Sequence, residues 1–569
     1  MTTNNLNESA RIATASALGD FVERQPEHEI ERELALRAKR IEWRWRILAA
    51  ICGALTGLAA PGLELWFLPW VSLTTLILLT ANARDTWLAS VRGYYFGIFY
   101  NLVYMSWLLL FRQEYSTGVY ALPVILVSVI FWILLAGMQG IYISVATCLI
   151  KALPVTGGWL PRRYQGRWHW PSFVVWPLLW ILVDRLCNTT QLLGIPLTTL
   201  HYTQYKQLPL LQCASLIGGV GITAWIVLVN ANLAAWFTHG RHQFASVNCS
   251  SRRALLLNSA FTLLLSVVLI AYGANRLSQA STSASTSATT SATTSANTSV
   301  QSDAIKVQKT VAVAALQANL SEVLHKVKSE VVVVKYLNLA RSCAPGTVCI
   351  WPEWSFPATF SKSPHLFEAL AVFPKRDKQS WVVGTSDRGA HGELYNSACA
   401  IESSGEVLPQ VYHKRYLVPV GEYLPDWIKA TPLRFMMFGN NELPKESSSG
   451  LLPVILPLRQ VKIAPVICFE AAYPRLCAQS VRAGGELLVD CSDNSWFKGS
   501  ILSDQMVSFC VLRAVENHRS FVFATALGPS TIIDSTGHIL AQAPRQKETT
   551  VKAVVPLESD LTPYTRWCF

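Results

Sequence analysis

The sequence is short of charge. Only 15% of its 569 residues are Asp, Glu, Lys or Arg, where a soluble protein carries about a quarter. With 51% hydrophobic residues, that scarcity excludes a disordered chain and a coiled coil. No Cys-x-x-Cys pair occurs among the 13 cysteines, so there is no metal-site signature, and the length excludes a small disulfide scaffold. A signal-peptide pattern is missing as well, because the polar, charged segment 1–46 is too long for an n-region. What is present is a mean hydropathy of +0.29 and 20 Trp, which argue against a single soluble domain. The net charge of +12 has two readings, a nucleic-acid footprint or the basic loops of a membrane protein.

The apolar residues decide between them. After the basic run Arg37, Lys39, Arg40, Arg44 and Arg46, seven apolar stretches follow, at about 47–61, 64–83, 91–111, 121–150, 172–194, 209–237 and 254–275. A bilayer crossing needs roughly 20 such residues. Soluble cores do not supply seven in a row, so residues 47–275 are read as a transmembrane helical bundle. Twelve Lys and Arg stand against four Asp and Glu in that region. They gather in alternate loops: Arg84 and Arg92; Lys151, Arg162, Arg163 and Arg167; Arg241, Arg252 and Arg253. The other loops hold Arg112, Lys206 and Arg276. Positive residues stay inside, so the tail 1–46 is expected in the cytoplasm and everything beyond about 276 outside it. One span more or fewer reverses that side. Nucleic acid is not expected as a partner.

Residues 276–304 are a Ser/Thr/Ala tract, expected to be a flexible linker. From 305 to 569 short β-branched runs alternate with helix-like segments. The runs are Val311–Leu316, Val331–Val334, Trp381–Gly384, Leu452–Leu456, Val461–Val466, Glu486–Val489, Phe521–Thr525 and Ser530–Ile533. The helical segments are Ser321–Leu339, Ala471–Ala483 and Ser503–Asn517. This reads as an α/β sandwich.

Three local strings in the sandwich carry candidate chemistry. Glu353 follows a strand-like entry, Cys-Ile-Trp-Pro, among aromatics. Buried there, its carboxyl has a raised pKa, as a general base needs; exposed, it is an ordinary surface acid. Lys414 lies in the apolar string Tyr412–Pro425, where it is either a fixed cation beside an oxyanion or a snorkelling lysine. Cys468 ends the apolar run Lys462–Ile467, where a nucleophile would stand, though an inert buried thiol fits too. A nearby ammonium is expected to lower its pKa. Cys343 and Cys349 leave an extracytoplasmic disulfide open.

Glu, Lys and Cys in this order, 61 and 54 residues apart, resemble the nitrilase, or carbon–nitrogen hydrolase, superfamily. The strings WPE, YHKRYLVPVGEYLP and ICFE closely resemble one branch, the bacterial apolipoprotein N-acyltransferases. Pro209–Ala234 and the TPYTRW of Thr562–Trp567 resemble that branch too. The resemblance implies a multi-domain fold: an N-terminal transmembrane α-helical bundle and an αββα nitrilase-like domain in the periplasm, at a bacterial inner membrane. It implies acyl transfer from a phospholipid, typically phosphatidylethanolamine, to the α-amine of diacylglyceryl-cysteine on an apolipoprotein. The route is ping-pong through a thioester, with no cofactor and no metal. Cys468 is then the nucleophile, Glu353 the base, and Lys414 with a backbone N–H near Cys468 the oxyanion stabiliser. Glu422, Glu470, Phe469 and Trp496 support the site. The patch LRFMMFG, with Phe435, Met436, Met437 and Phe438, is expected to be a lid dipping into the bilayer.

The sequence departs from the family pattern in places. Phe469 stands where the family has Tyr. The string Ser492–Gly499 swaps the family's Asn–Asp order at Asp493 and Asn494 and inserts Lys498. Ala526-Leu527-Gly528 replaces an Asn-rich string, and the sequence given ends at Cys568-Phe569 where the family has an eighth span. A divergent or C-terminally truncated member fits these departures. Two rivals to the transferase are a membrane-anchored amidase-like hydrolase and a degenerate lipid- or lipoprotein-binding paralogue.

Overall fold

The computed structural model describes residues 4–110, 121–156, 162–164, 167–189, 196–239, 252–293, 309–320, 328–419, 421–424, 426–430, 446–495 and 499–568. The polar tail and the first apolar stretch form one helix, α1 (Asn4–Gly57). The other six stretches fall on α2 (Pro69–Ala81), α3 (Thr86–Tyr104), α4 (Ala121–Ala152), α5 (Ser172–Thr189), α7 (Ala214–Thr238) and α8 (Arg252–Thr293). A single turn, α6 (Leu208–Leu211), precedes α7. Between α4 and α5 lies a small sheet of β1 (Val155–Thr156), β2 (Arg162–Tyr164) and β3 (Arg167–Pro171). Among the described residues three helices are long and apolar enough to cross a membrane: Ser128–Ala152, Ala214–Thr238 and Arg252–Ser281.

Close backbone approach holds the bundle. A Cβ added to Gly97 of α3 would lie 2.8 Å from Gly140 Cα of α4, so only small residues fit that crossing. Arg92, counted above as a loop residue, sits inside α3. Glu42 of α1 pairs with it at 2.6 Å, and its Nη1 donates to the Leu79 carbonyl near the end of α2. A cation at a helix C-terminus satisfies a carbonyl that the helix leaves open.

The linker expectation needs correction. The tract begins as a continuation of α8, which runs to Thr293. Alanine is the best helix former, and extending an existing helix avoids the cost of nucleation.

The C-terminal half is a four-layer sandwich, as expected. One sheet contains β4 (Thr310–Gln317), β5 (Val348–Ile350), β6 (Ser380–Arg388), β7 (Leu394–Ile401), β8 (Val407–His413) and β15 (Thr549–Pro556), in the order β15-β4-β5-β6-β7-β8. The other contains β9 (Leu456–Pro457), β10 (Lys462–Ile467), β11 (Leu487–Ser492), β12 (Phe521–Thr525), β13 (Thr531–Ile533) and β14 (Ile539–Gln542), in the order β14-β13-β12-β11-β10-β9. Each sheet has three parallel strands at its heart, β4-β5-β6 and β10-β11-β12. Val313, Ile350 and Val382 of one inner face meet Ile463, Ile467 and Val489 of the other.

Helices α9 (Ser329–Arg341) and α10 (Pro364–Asp377) cover the first sheet. The run Val331–Val334, read both as a β-branched run and as part of the helix-like segment Ser321–Leu339, belongs to α9. Val332, Tyr336 and Ala340 recur at helical spacing and bury one face, which overrides β propensity. Of Leu452–Leu456 only Leu456 is strand, and Leu451 and Leu452 are exposed. A short α11 (Asp426–Lys429) follows the lysine string.

Helices α12 (Pro474–Arg482), α13 (Leu502–Asn517) and α14 (Pro563–Trp567) lie between the second sheet and the bundle. The core there is continuous across the two halves: Ala464, Val466 and Phe509 pack in one cluster with Tyr202, Leu211 and Trp225. Every residue of α13 except Asp504 is buried. Its Arg513 and Glu516 pair at 2.8 Å, and Glu516 accepts the Gly219 N–H of α7 at 2.8 Å. Gln505 donates to the Tyr104 carbonyl and Gln212 to the Thr536 carbonyl, so polar groups cross the joint in both directions.

Removing one member of a buried pair strands the other charge. Glu516→Ala is expected to cost about 3–5 kcal/mol. Thermal unfolding of the detergent-solubilised chain, compared with the milder double variant Arg513→Met/Glu516→Leu, measures it.

Candidate active site

The three chemical residues stand at the carboxyl ends of three strands. Glu353 follows β5, Lys414 follows β8, and Cys468 follows β10. Ligand sites in parallel sheets form at that end. The aromatic string before Glu353 fixes its approach: Trp351 stacks on Tyr336 at 5.2 Å and leans on Trp381 at 5.1 Å. Cys468 turns the chain from strand to a 3₁₀ turn, Cys468–Ala472, with φ 56°. A non-glycine residue in that left-handed region costs about 1–2 kcal/mol, and such strain gathers at functional turns.

Lys414 is buried, 1% exposed, and its ammonium has two carboxylate partners. Nζ donates to Glu353 Oε1 at 3.2 Å and to Glu422 Oε1 at 2.9 Å. Asn396 of β7 bridges the same two oxygens, donating from Nδ2 at 2.6 Å and 2.9 Å. Glu353 Oε2 accepts the Asp493 N–H at 2.8 Å, and Glu422 Oε2 accepts the Val418 N–H at 2.8 Å. Burial raises the pKa of Glu353 against the pull of the Lys414 ammonium. Burial opposes the charge on Lys414, yet Glu353 and Glu422 outweigh it and hold its pKa well above the ordinary lysine value.

Glu470 joins the lysine string to the cysteine turn. One oxygen accepts the Arg415 and Tyr416 N–H groups at 2.6 Å and 3.0 Å. The other accepts the Ile467 N–H at 2.8 Å and the Tyr412 hydroxyl at 2.7 Å. Glu422 and Glu470, both named from the sequence, thus contact Lys414 and the backbone beside Cys468.

The thiol differs from expectation. Burial, with the Glu353 and Asp490 carboxyls, pushes the Cys468 pKa well up, and the Lys414 ammonium only partly offsets this. Cys468 rests as a thiol, and three buried carboxyls near it, Glu353, Glu470 and Asp490, all have raised pKa values; of these Glu353 is the one that pairs with the Lys414 ammonium. The Cys468 N–H donates to Asp490 Oδ1 at 2.6 Å, so a backbone donor to an oxyanion has to come from a later amide.

With this geometry in hand, two family models match the chain: the apolipoprotein N-acyltransferase N-terminal domain over residues 52–232 and carbon–nitrogen hydrolase over 310–560. A curated apolipoprotein N-acyltransferase from Geobacter metallireducens is 28% identical over 532 residues, 92% of this chain and 91% of that one. One from Azotobacter vinelandii is 27% identical over 537 residues, 92% of each. The chain belongs to the apolipoprotein N-acyltransferase family. A solved carbon–nitrogen hydrolase from Helicobacter pylori G27 is 14% identical, covering 44% of this chain and 89% of that one, with a TM-score of 0.34.

Within this N-acyltransferase-family chain both residues of the swapped Asp493–Asn494 pair make hydrogen bonds. The bond to Glu353 comes from the Asp493 backbone, which any residue supplies. Asn494 donates to Ser503 Oγ and accepts the Leu527 N–H, tying this loop to the Ala526–Gly528 string. Phe469 packs edge-on against Tyr473 at 5.6 Å. Trp496 and the expected lid residues Phe435, Met436, Met437 and Phe438 lie outside the described residues. Cys343 and Cys349 are free buried thiols, not a disulfide. Sequence reading missed Asn396 and Asp490. Asn396 stands beside Ser397 in β7 and Asp490 shares β11 with Ser492, so nothing in the strings LYNSACAI and LLVDCS marks either as a site residue.

If Glu353 takes the thiol proton, it must be ionised, and burial raises the pH at which it ionises. Turnover is expected to fall as pH drops through that raised pKa. Glu353→Gln should abolish this limb and slow turnover about 10²–10⁴-fold. A pH–rate profile of thioester formation reads both.

Proposed function

We propose that this enzyme moves an acyl chain from a membrane phospholipid to the N-terminal amine of diacylglyceryl-cysteine on apolipoproteins. The observation that carries the reading is the buried Glu353–Lys414–Glu422 cluster beside a cysteine at a strand-to-turn corner.

In the first half-reaction Glu353 takes the Cys468 proton as sulfur attacks the ester carbonyl. Negative charge grows on the carbonyl oxygen, and the Lys414 ammonium and a backbone N–H stabilise it. The tetrahedral adduct collapses, the C–O bond breaks, and the lysophospholipid alcohol leaves with the proton from Glu353. A thioester remains on Cys468. In the second half the acceptor amine attacks the thioester, Glu353 takes the amine proton, and the thiol is restored as the amide forms. Glu422 shares the ammonium of Lys414 and so keeps that cation from pairing with Glu353 alone. The site must exclude water while the thioester waits, or hydrolysis wins.

Phosphatidylethanolamine is the proposed donor. Phe435, Met436, Met437 and Phe438 are proposed to form the lid that closes over it. The proposed topology follows from the loop charges: seven crossings over 47–275, the tail 1–46 in the cytoplasm, and the domain 305–569 on the periplasmic side of the inner membrane. The exposed Leu263 and Leu264 of α8 suit a lipid surround.

Cys468→Ala is expected to abolish acyl transfer with membrane insertion intact. Complementation of a strain depleted of its own N-acyltransferase, scored by the blocked lipoprotein N-terminus, tests the function. Growth and N-acylation supported by the alanine variant would refute the mechanism.

A further inference from the structure

The nucleophile carries an unusual partner. Asp490 sits on β11, in register with Val466 two residues before Cys468 on the neighbouring strand β10. Its side chain is fully buried. Oδ1 accepts the Cys468 N–H at 2.6 Å, and Oδ2 is a buried atom without a hydrogen-bond partner. Cys468 also has the left-handed backbone, φ 56°, that an L residue adopts only when its surroundings impose it. The carbonyl end of the same turn is held too, by Tyr202, whose hydroxyl donates to the Ala472 carbonyl at 3.0 Å.

We propose that Asp490 is a positioning residue for acyl transfer: its Oδ1 fixes the Ile467–Cys468 peptide and so keeps the thiol at the angle from which Glu353 and Lys414 act on it. The inference rests on the proposed role of Cys468. A short bond to an amide fixes the peptide plane more firmly than apolar packing does, and the strained turn needs such a tie. It needs an acceptor here and not a charge. A second carboxylate charge beside the thiol would only oppose thiolate formation. Burial, together with the nearby Glu353 and Glu470 carboxyls, pushes the Asp490 pKa well up, and the Cys468 N–H bond and the Lys414 ammonium only partly offset this. Asparagine supplies the same acceptor oxygen with no charge, whereas valine and leucine supply none.

The test uses the full-length chain in phosphatidylethanolamine-containing vesicles. It compares Asp490→Asn with Asp490→Val and Asp490→Leu. The asparagine variant is expected to form the acyl-thioester within about threefold of the parent rate. The valine and leucine variants are expected to lose about 10²-fold in rate at unchanged KM for the phospholipid, the size of loss that small misplacement of a reacting group causes. A valine variant at the parent rate overturns the proposal, as does an asparagine variant as slow as valine. Alkylation of Cys468 by iodoacetamide is the second readout, because it needs neither an acyl donor nor an intact global mechanism. The same ranking of variants is expected there. If the parent chain alkylates but forms no thioester, the transferase reading fails while the alkylation ranking still decides the role of Asp490. Equal alkylation of all four proteins overturns it.

Discussion

A single ammonium, that of Lys414, is taken almost wholly out of water, and the site is built around that fact. Burying an unpaired charge costs several kcal/mol even after relaxation, about the whole stability of a domain. Two carboxylates meet it, Glu353 and Glu422, with Asn396 donating to both. The cluster fixes more than charge. Lys414 follows β8 in sequence, Glu353 follows β5, and Asn396 lies on β7 between them in the same sheet, so the ion pair reports the register of three strands. Cys468 comes from the opposite sheet. The two sheets must face each other within hydrogen-bonding reach for Glu353 to accept the Asp493 amide, which follows β11 of that second sheet.

Glu470 does for the backbone what Lys414 does for the charges. It gathers four donors, from Ile467, Arg415, Tyr416 and Tyr412, onto one carboxylate. Two of them sit one and two residues after the lysine, and one sits just before the cysteine. The segments that carry Lys414 and Cys468 therefore share a single internal brace and cannot drift apart independently. Hydrogen bonds to a charged acceptor are about twice as strong as neutral ones, which suits a brace between two segments that share no strand pairing.

Glu353, Lys414 and Cys468 drew attention because each follows a strand-like run, whereas Glu422 and Glu470 were picked out through the family resemblance. The seven helical stretches were legible from length, and most strands from β-branched runs. One element was read two ways and one was misread, each for a physical reason. Val331–Val334 satisfies a strand's composition, but the burial of Val332, Tyr336 and Ala340 makes helix α9 the better use of it. The Ser/Thr/Ala tract has no apolar face of its own and begins as helix only because α8 delivers it already nucleated. Asn396 and Asp490 were invisible, since an amide or acid in a strand has the same appearance whether it is a turn signal or the partner of a buried charged or nucleophilic group. The rise in the Cys468 pKa was also out of reach, because it depends on burial and on the Glu353 and Asp490 carboxyls, neighbours brought in from other strands.

Helix α13 is the feature with the widest reach. In a free-standing sandwich of this kind the outer helices would show water their polar side, yet here fifteen of sixteen residues are buried, with the ion pair Arg513–Glu516 sealed between halves. The membrane half is then not an anchor that carries a self-sufficient enzyme. It is the second wall of that enzyme's core, and Tyr202 in it touches the turn that begins at Cys468. Cutting the chain between the two halves would therefore lay bare an apolar face of the sandwich that includes most of α13.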